Sequence, residues 1–294
     1  MSDTGGQRRT TKAPDGNLAT YTSSEFSAGR TTHRVWRKGS GPAVIVITEM
    51  PGISPTVLGF ADRVVALGCT AVLPDLFGTA GARVDSQFKA MLAIARTCIR
   101  REFTVLAAGA SSPVIDWLRE LGAHEHRVCG GPGIGVVGMC FTGGFALALA
   151  TDAHVLAPVL SQPSLPFPVG ARRRRSIDTN PADIATVAGR CATDGLQVIG
   201  LRFKGDKFVP GERFDYLREQ LGDGFLAVEL AQDDGNPDGP MGWRHSVLTG
   251  DLADEPGEPT RQALDDVLAL FASKLLGSTA GGAGDCVDGQ HREE

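Results

Sequence analysis

No apolar run in the 294-residue chain approaches the ~18 residues that a membrane-crossing helix needs, so a spanning segment is not expected. The first fifteen residues, Met1 to Asp15, contain no apolar core of the signal-peptide kind, which makes a cytoplasmic location the expectation. An excess of basic charge is also missing. Twenty-nine Lys and Arg stand against 34 Asp and Glu, for a net charge of −5, which argues against a broad nucleic-acid or anionic-membrane surface. Six cysteines are present, Cys69, Cys98, Cys129, Cys140, Cys191 and Cys286, but no C-x-x-C pair. Their scatter supports neither a zinc site nor a disulfide framework, and no metal is expected. Internal repeats and a linker dividing the middle of the chain are absent as well.

What is present is an alternation of two periodicities. Ala43 to Thr48 (AVIVIT) is a continuous β-branched run, the pattern of a strand buried on both faces. Ser54 to Leu67 then has helical spacing and ends at Gly68. Further strands are read at Thr70–Leu73, Gly135–Met139, His154–Leu160, Gln197–Phe203 and Phe225–Leu230. Helices are read from Asp85 to about Leu121 with a break near Pro113, and at Phe141–Ala150, Asn180–Cys191, Gly211–Leu221 and Pro259–Leu276. Such alternation calls for an α/β fold with a mostly parallel central sheet and helices on both faces. One domain over residues 19–276 is expected, between disordered tails at 1–18 and 277–294 that are poor in apolar residues. Ligands in such sheets bind at the carboxyl ends of the strands, so motifs there carry most weight.

One such motif is Gly138-Met139-Cys140-Phe141-Thr142-Gly143-Gly144, where a strand turns abruptly into a helix. A turn this sharp tolerates only small neighbours, and it pushes its central side chain out at the top of the sheet. It also sets Cys140 at a helix N-terminus, with unpaired N–H groups and partial positive charge that favour the thiolate. An isolated cysteine is usually a small buried apolar residue; the strand-to-helix position with glycines around it makes Cys140 the candidate nucleophile. The overlapping Gly133-Ile134-Gly135-Val136-Val137-Gly138 matches the dinucleotide fingerprint, but its glycines enter a strand instead of following one, so no nicotinamide or flavin site is expected.

A cysteine nucleophile needs a base, and the base an orienting carboxylate, in the chain order nucleophile, acid, histidine. Asp206 follows the Gln197–Phe203 strand and is the candidate acid. His245 is the one histidine between Asp206 and the tail, on a loop after the last strand, and is the candidate base. His124-Glu125-His126 has the look of a metal pair, but its spacing fits no zinc motif, and it reads as a polar surface turn. Oxyanion donors are expected from the backbone N–H of Phe141, after the nucleophile, and of Met50, because Pro51 in the Glu49-Met50-Pro51-Gly52 loop has none.

Glu49-Met50-Pro51-Gly52, Pro74-Asp75-Leu76-Phe77, Gly138-Met139-Cys140, Asp206 with Val209-Pro210, and His245-Ser246 together resemble the dienelactone hydrolases, a family of α/β-hydrolase fold, over roughly Thr32 to Leu276. The resemblance implies a Cys140–His245–Asp206 triad that opens an enol-lactone through a thioester. It implies that Glu49 interacts with the resting cysteine and helps form the thiolate. It also implies no cofactor, a small-molecule ester or lactone as the only partner, and a monomer, with a dimer the alternative.

Three features depart from the family pattern. Thr142 stands where glycine is usual, which would crowd the turn. Thr79 and Thr249 align with two arginines that hold a substrate carboxylate; Arg83, Arg244 or the run Arg172–Arg175 are the candidate replacements. Finally, the stretch 161–192 is long and is a candidate lid or insertion. The alternative readings are a carboxylesterase or thioesterase with a larger acyl pocket, and a non-catalytic binding protein on a hydrolase scaffold.

Overall fold

A computed structural model describes residues 14–77, 79–82, 112–239 and 242–277. Eight strands form one sheet in the order β1-β2-β4-β3-β5-β6-β7-β8. They are β1 (Thr22–Ala28), β2 (Thr31–Lys38), β3 (Ala43–Ile47), β4 (Thr70–Pro74), β5 (Ile134–Met139), β6 (Val155–Ser161), β7 (Val198–Phe203) and β8 (Phe225–Leu230). From β4 to β8 all pairings are parallel, while β1 and β2 add antiparallel at one edge.

The parallel strands are those that periodicity marked, within one or two residues at each end. The hairpin β1–β2 was not among them. Its sequences, TSSEFSA and TTHRVWRK, contain only one buried residue, so no apolar run announces them. Charged edge residues also suit a strand that must not recruit another sheet.

The helices are α1 (Pro55–Ala66), α2 (Pro113–Cys129), α3 (Gly143–Leu149), α4 (Ala171–Arg174), α5 (Pro181–Asp194), α6 (Gly211–Leu221) and α7 (Pro259–Phe271). Local chemistry sets their ends. Ser54 Oγ caps α1 by accepting from Val57 N at 3.3 Å, ahead of Pro55 in the first turn. Asn180 caps α5 in the same manner, and Gly195 closes it in the left-handed region.

Alternate residues of each buried strand feed opposite cores. On β3, Ile45 and Ile47 join α2, α3, α5 and α6 around Trp117, Phe145 and Phe214, while Val44 and Val46 join α1 and α7 around Phe60 and Phe271. Helices therefore cover both faces, as expected.

Two expectations need correction. The described part of the 85–121 helix runs on to Cys129, so His124-Glu125-His126 is helical and not a turn. Glu125 is wholly buried there and pairs with Arg37 at 2.5 Å. Residues 14–18, assigned to the N-terminal tail, pack on α1: Gly16 N donates to Pro55 O at 2.8 Å, and Gly16 lies so close to Leu58 that a Cβ would meet its backbone at 2.5 Å. The rest of that tail, the helix expected from Asp85 to residue 111, and the tail from 278 lie outside the described residues. Among the described residues, no helix is long and apolar enough to cross a membrane.

Candidate active site

The C-terminal ends of β3, β5, β6 and β7 carry the residues of interest. Cys140 follows β5 directly and takes φ +55°, a left-handed conformation that a side chain rarely adopts. Such strain persists only where the surroundings over-determine it, and it is concentrated at functional positions. Close packing supplies the constraint. A Cβ on Gly138 would fall 2.2 Å from Thr142 O, one on Gly143 2.5 Å from Pro163, and one on Gly144 2.4 Å from Asp178 O.

Thr142 does not crowd the turn as expected. Its buried hydroxyl donates to Ile47 O at 2.8 Å and accepts from Met139 N at 2.9 Å, tying the turn to β3.

Asp206 and His245 meet behind Cys140. Asp206 Oδ2 lies 2.6 Å from His245 Nδ1, and Asp206 Oδ1 accepts from Phe208 N at 2.8 Å, so both carboxylate oxygens are committed and the ring is fixed. Burial works against charge on His245, but the Cys140 sulfur and the Asp206 carboxylate outweigh it and hold the imidazole pKa well above its usual value. His245 Nε2, the nitrogen facing away from Asp206, is buried without an aligned hydrogen bond, although charge couples it to the sulfur. The geometry favours close approach over a formed hydrogen bond, and such bonds commonly tighten only around substrate.

The loop bearing His245 has a second anchor that the sequence reading missed. Asp251, wholly buried, accepts from His245 N at 2.7 Å and Ser246 N at 2.9 Å. Burial raises its pKa; the two N–H donors and Arg244 counter this, and Glu49 adds to it.

Glu49 is buried at the end of β3, and its carboxylate accepts from Gln162 Nε2 at 3.0 Å, from Ser246 Oγ at 2.8 Å and from Thr249 Oγ1. The hydrogen bond to the Cys140 sulfur comes instead from Ser164 Oγ, at 3.3 Å. Thr249, placed by alignment at a substrate-carboxylate position, thus serves Glu49 from a buried site. Thr79 is exposed in the loop after β4, and Arg83 lies outside the described residues.

The other candidate cations are engaged in part. Arg244 lies 3.7 Å from Asp251, Arg174 pairs with Glu212 at 2.9 Å, and Arg175 pairs with Glu219. Arg172 and Arg173 are exposed.

Residues 162–177 form a strap across this edge of the sheet. Ser164 N donates to Cys140 O at 2.9 Å, and Leu165 and Ile177 are buried beneath it. The strap is held by Arg213 of α6, a wholly buried guanidinium that donates to the carbonyls of Pro163, Pro166, Arg173, Ser176 and Phe208 at 2.5–3.4 Å. Burial pulls its pKa down to about 10. Beside His245 stands an aromatic wall: Phe208 is 5.8 Å from the His245 ring, 6.0 Å from Trp243 and 6.1 Å from Phe167 of the strap.

Phe141 is the second residue of the short helical turn Cys140–Thr142, and Met50 sits in the turn closed by Gly52 N donating to Glu49 O at 2.7 Å. Gln162, Ser164 and Asp251 were not foreseen. For the first two a signal existed, since they lie just past the carboxyl end of β6, where site residues gather in such sheets. For Arg213 there was none, because GERFDYLREQL reads as an ordinary charged helix.

The dienelactone hydrolase family model matches residues 30–170. No curated protein sequence matches the chain. Among solved structures, a putative dienelactone hydrolase from Klebsiella pneumoniae is similar with TM-score 0.56 and 18% identity, covering 86% of this chain and 98% of that one. A dienelactone hydrolase from Anabaena variabilis gives 0.52 and 16%, covering 87% and 98%. A 2,6-dihydroxy-pseudo-oxynicotine hydrolase gives 0.56 and 16%, covering 87% and 70%. At such identities the neighbours speak for the fold alone, and the family match speaks for residues 30–170. Residues 30–170 thus match the dienelactone hydrolase family model, and the chain has an α/β-hydrolase fold with an eight-stranded, mostly parallel sheet.

Proposed function

We propose that the protein is a cysteine-dependent hydrolase of small esters or lactones, acting through Cys140, His245 and Asp206 without a cofactor. The observation that carries this reading is the strained Cys140 beside a buried His245 whose far nitrogen is bonded to Asp206 at 2.6 Å. The Cys140 thiolate attacks the carbonyl carbon, and the oxyanion is received by the N–H groups of Phe141 and Met50. Collapse of the tetrahedral species expels the alcohol oxygen, which takes the proton from His245 Nε2 and leaves a thioester on Cys140. His245 then removes a proton from water, which attacks the thioester and releases the acid.

The aromatic wall of Phe167, Phe208 and Trp243 favours substrates with an apolar or aromatic portion, which keeps a carboxylesterase or thioesterase with a larger acyl pocket as the second reading. A small-molecule substrate, a monomeric protein and a cytoplasmic setting belong to the same proposal.

The test is a panel of activated esters, thioesters and lactones with the wild type and Cys140→Ala. The variant is expected to keep its fold and lose turnover, and peptide mapping should find iodoacetamide on Cys140 before Cys69, Cys129 or Cys191. A variant that still turns over would remove the nucleophile assignment. His245→Ala should reduce turnover by orders of magnitude. Asp206→Asn, which costs about 10⁴ in the serine triad, should cost less here because a thiolate depends less on its base.

A further inference from the structure

Gln162 is the first residue after β6, is buried to 1% exposure, and takes φ +37°. Glycine would accept that backbone freely, whereas any side chain there is strained. The side chain must therefore contribute something that glycine does not, and its contacts are specific. Its Oε1 accepts from Val247 N at 3.3 Å, in the loop of His245, and from Ser161 Oγ. Its Nε2 donates to Glu49 Oε2 at 3.0 Å, at the head of the loop that carries Met50. Its carbonyl lies 3.0 Å from Ser164 Oγ and shares that hydroxyl's single proton with the Cys140 sulfur at 3.3 Å. One strained residue thus touches the histidine loop, the oxyanion loop and the strap.

Glu49 completes the node. Its three donors are neutral and come from outside its own loop: Gln162, Ser246 and Thr249. Turning the carboxylate toward the sulfur would break these charge-assisted bonds in a buried place, where each lost partner is costly. The sulfur meanwhile has its own donor in Ser164 and its charge partner in His245.

We propose that Gln162 and Glu49 form a positioning device that fixes the Met50 loop against the His245 loop, and that Glu49 takes no proton from Cys140. The inference rests on the cysteine-hydrolase reading and adds the division of labour within it. The thiolate belongs to the Cys140–His245 pair, and Glu49 sets the geometry in which the oxyanion is received.

The experiment compares wild type, Gln162→Gly, Glu49→Gln, Thr249→Val and Thr249→Ser. Each is assayed for kcat and KM on one activated ester, and for the pH profile of Cys140 alkylation by iodoacetamide. Gln162→Gly relieves the strain and removes only the amide, so it should fold, as a thermal melt will show. The expected result is a fall in kcat of about 10²-fold in Gln162→Gly and Glu49→Gln, the size of loss that an ångström of misplacement causes. KM should stay at the wild-type value, and the alkylation midpoint should not rise. Thr249→Val should lose kcat and Thr249→Ser recover it, because only the hydroxyl matters.

Loss of a like charge near the sulfur would by itself lower the alkylation midpoint, so a midpoint that rises in Glu49→Gln would make Glu49 the proton acceptor and overturn the proposal. Wild-type kcat in Gln162→Gly would overturn it as well. Either failure leaves the parent reading intact, since that reading stands or falls on Cys140→Ala.

Discussion

Arg213 and Glu49 are both charged and buried beneath the same edge of the sheet, yet they are satisfied in opposite ways. Every partner of Arg213 is a backbone carbonyl, from Pro163, Pro166, Arg173, Ser176 and Phe208. Every donor to Glu49 is a side chain. A guanidinium with five N–H donors in a planar fork can pin a length of main chain whatever its sequence, so Arg213 shapes the strap. A carboxylate held by one amide and two hydroxyls can be tuned one partner at a time, so Glu49 adjusts a site already shaped. Substitution of the first should therefore register chiefly as stability, and of the second chiefly as turnover.

The largest effect should come from Arg213→Met, which leaves five carbonyls without their donor. A loss of about 3–5 kcal/mol is expected, the usual result of removing one side of a buried charged network. Urea denaturation measures it, and a wild-type midpoint would show that the strap holds itself. Arg213→Lys keeps the charge but not the fork, and should fall between the two.

Asp251→Asn comes next. Both His245 N and Ser246 N donate to Asp251 Oδ2, so the change turns two charge-assisted bonds into neutral ones and sets an amide NH2 beside Arg244, at about 1–3 kcal/mol. Turnover should fall with stability, because the loop carries the base. If stability fell and kcat held, His245 would be positioned by Asp206 alone.

Asp178 sharpens the comparison because it is one of two carboxylates, with Asp206, whose charge Arg213 feels, yet its Oδ2 has no hydrogen-bond partner. Burial raises its pKa to about 6, with Arg213 acting in the opposite direction. A folded-state pKa above the ordinary 3.8 means that the folded protein binds this proton more tightly than the unfolded chain does. Its contribution to stability is therefore largest at low pH and is lost as pH rises through the window from about 4 to 6. Asp178→Asn should stabilise the protein at pH 7 by about 1–3 kcal/mol, at about 1.4 kcal/mol per pKa unit, and the gain should vanish below pH 4. Melts at the two pH values check the sign, and a variant less stable at pH 7 would mean that the charge of Arg213 outweighs the burial.

The smallest effect concerns charge on the substrate. Thr249 is committed to Glu49, Arg244 lies beside Asp251, and Arg174 and Arg175 are paired. A neutral ester should thus show kcat/KM equal to or above that of its carboxylate-bearing analogue. A strong preference for the anion, weakened by salt and lost on replacing Arg83, Arg172 or Arg173, would reveal a clamp supplied from elsewhere.

Much of the fold was legible because parallel strands buried on both faces must be continuous apolar runs. AVIVI at β3 and IGVVGM at β5 announce themselves, whereas the β1–β2 hairpin, with one buried residue, has no such pattern. Cys140, Asp206 and His245 were legible for a similar reason. The strand-to-helix turn restricts its neighbours to small residues, Asp206 follows the carboxyl end of a strand, and one histidine then remains before the tail. Thr249 and His124–His126 were misread because alignment and local spacing do not report which way a side chain faces.

The sequence by itself determined the alternation of strands and helices, the position of the sharp turn after β5, and the residues able to serve as nucleophile, acid and base. These follow from local sterics and from periodicity, which short stretches of chain encode. Only the tertiary structure decided that Glu49 faces Gln162, Ser246 and Thr249, that Ser164 meets the sulfur, and that Arg213 is buried under the strap. Those contacts join residues up to 200 positions apart. No local rule specifies such pairs, because each buried polar group takes the partners that the packed sheet and loops bring within reach.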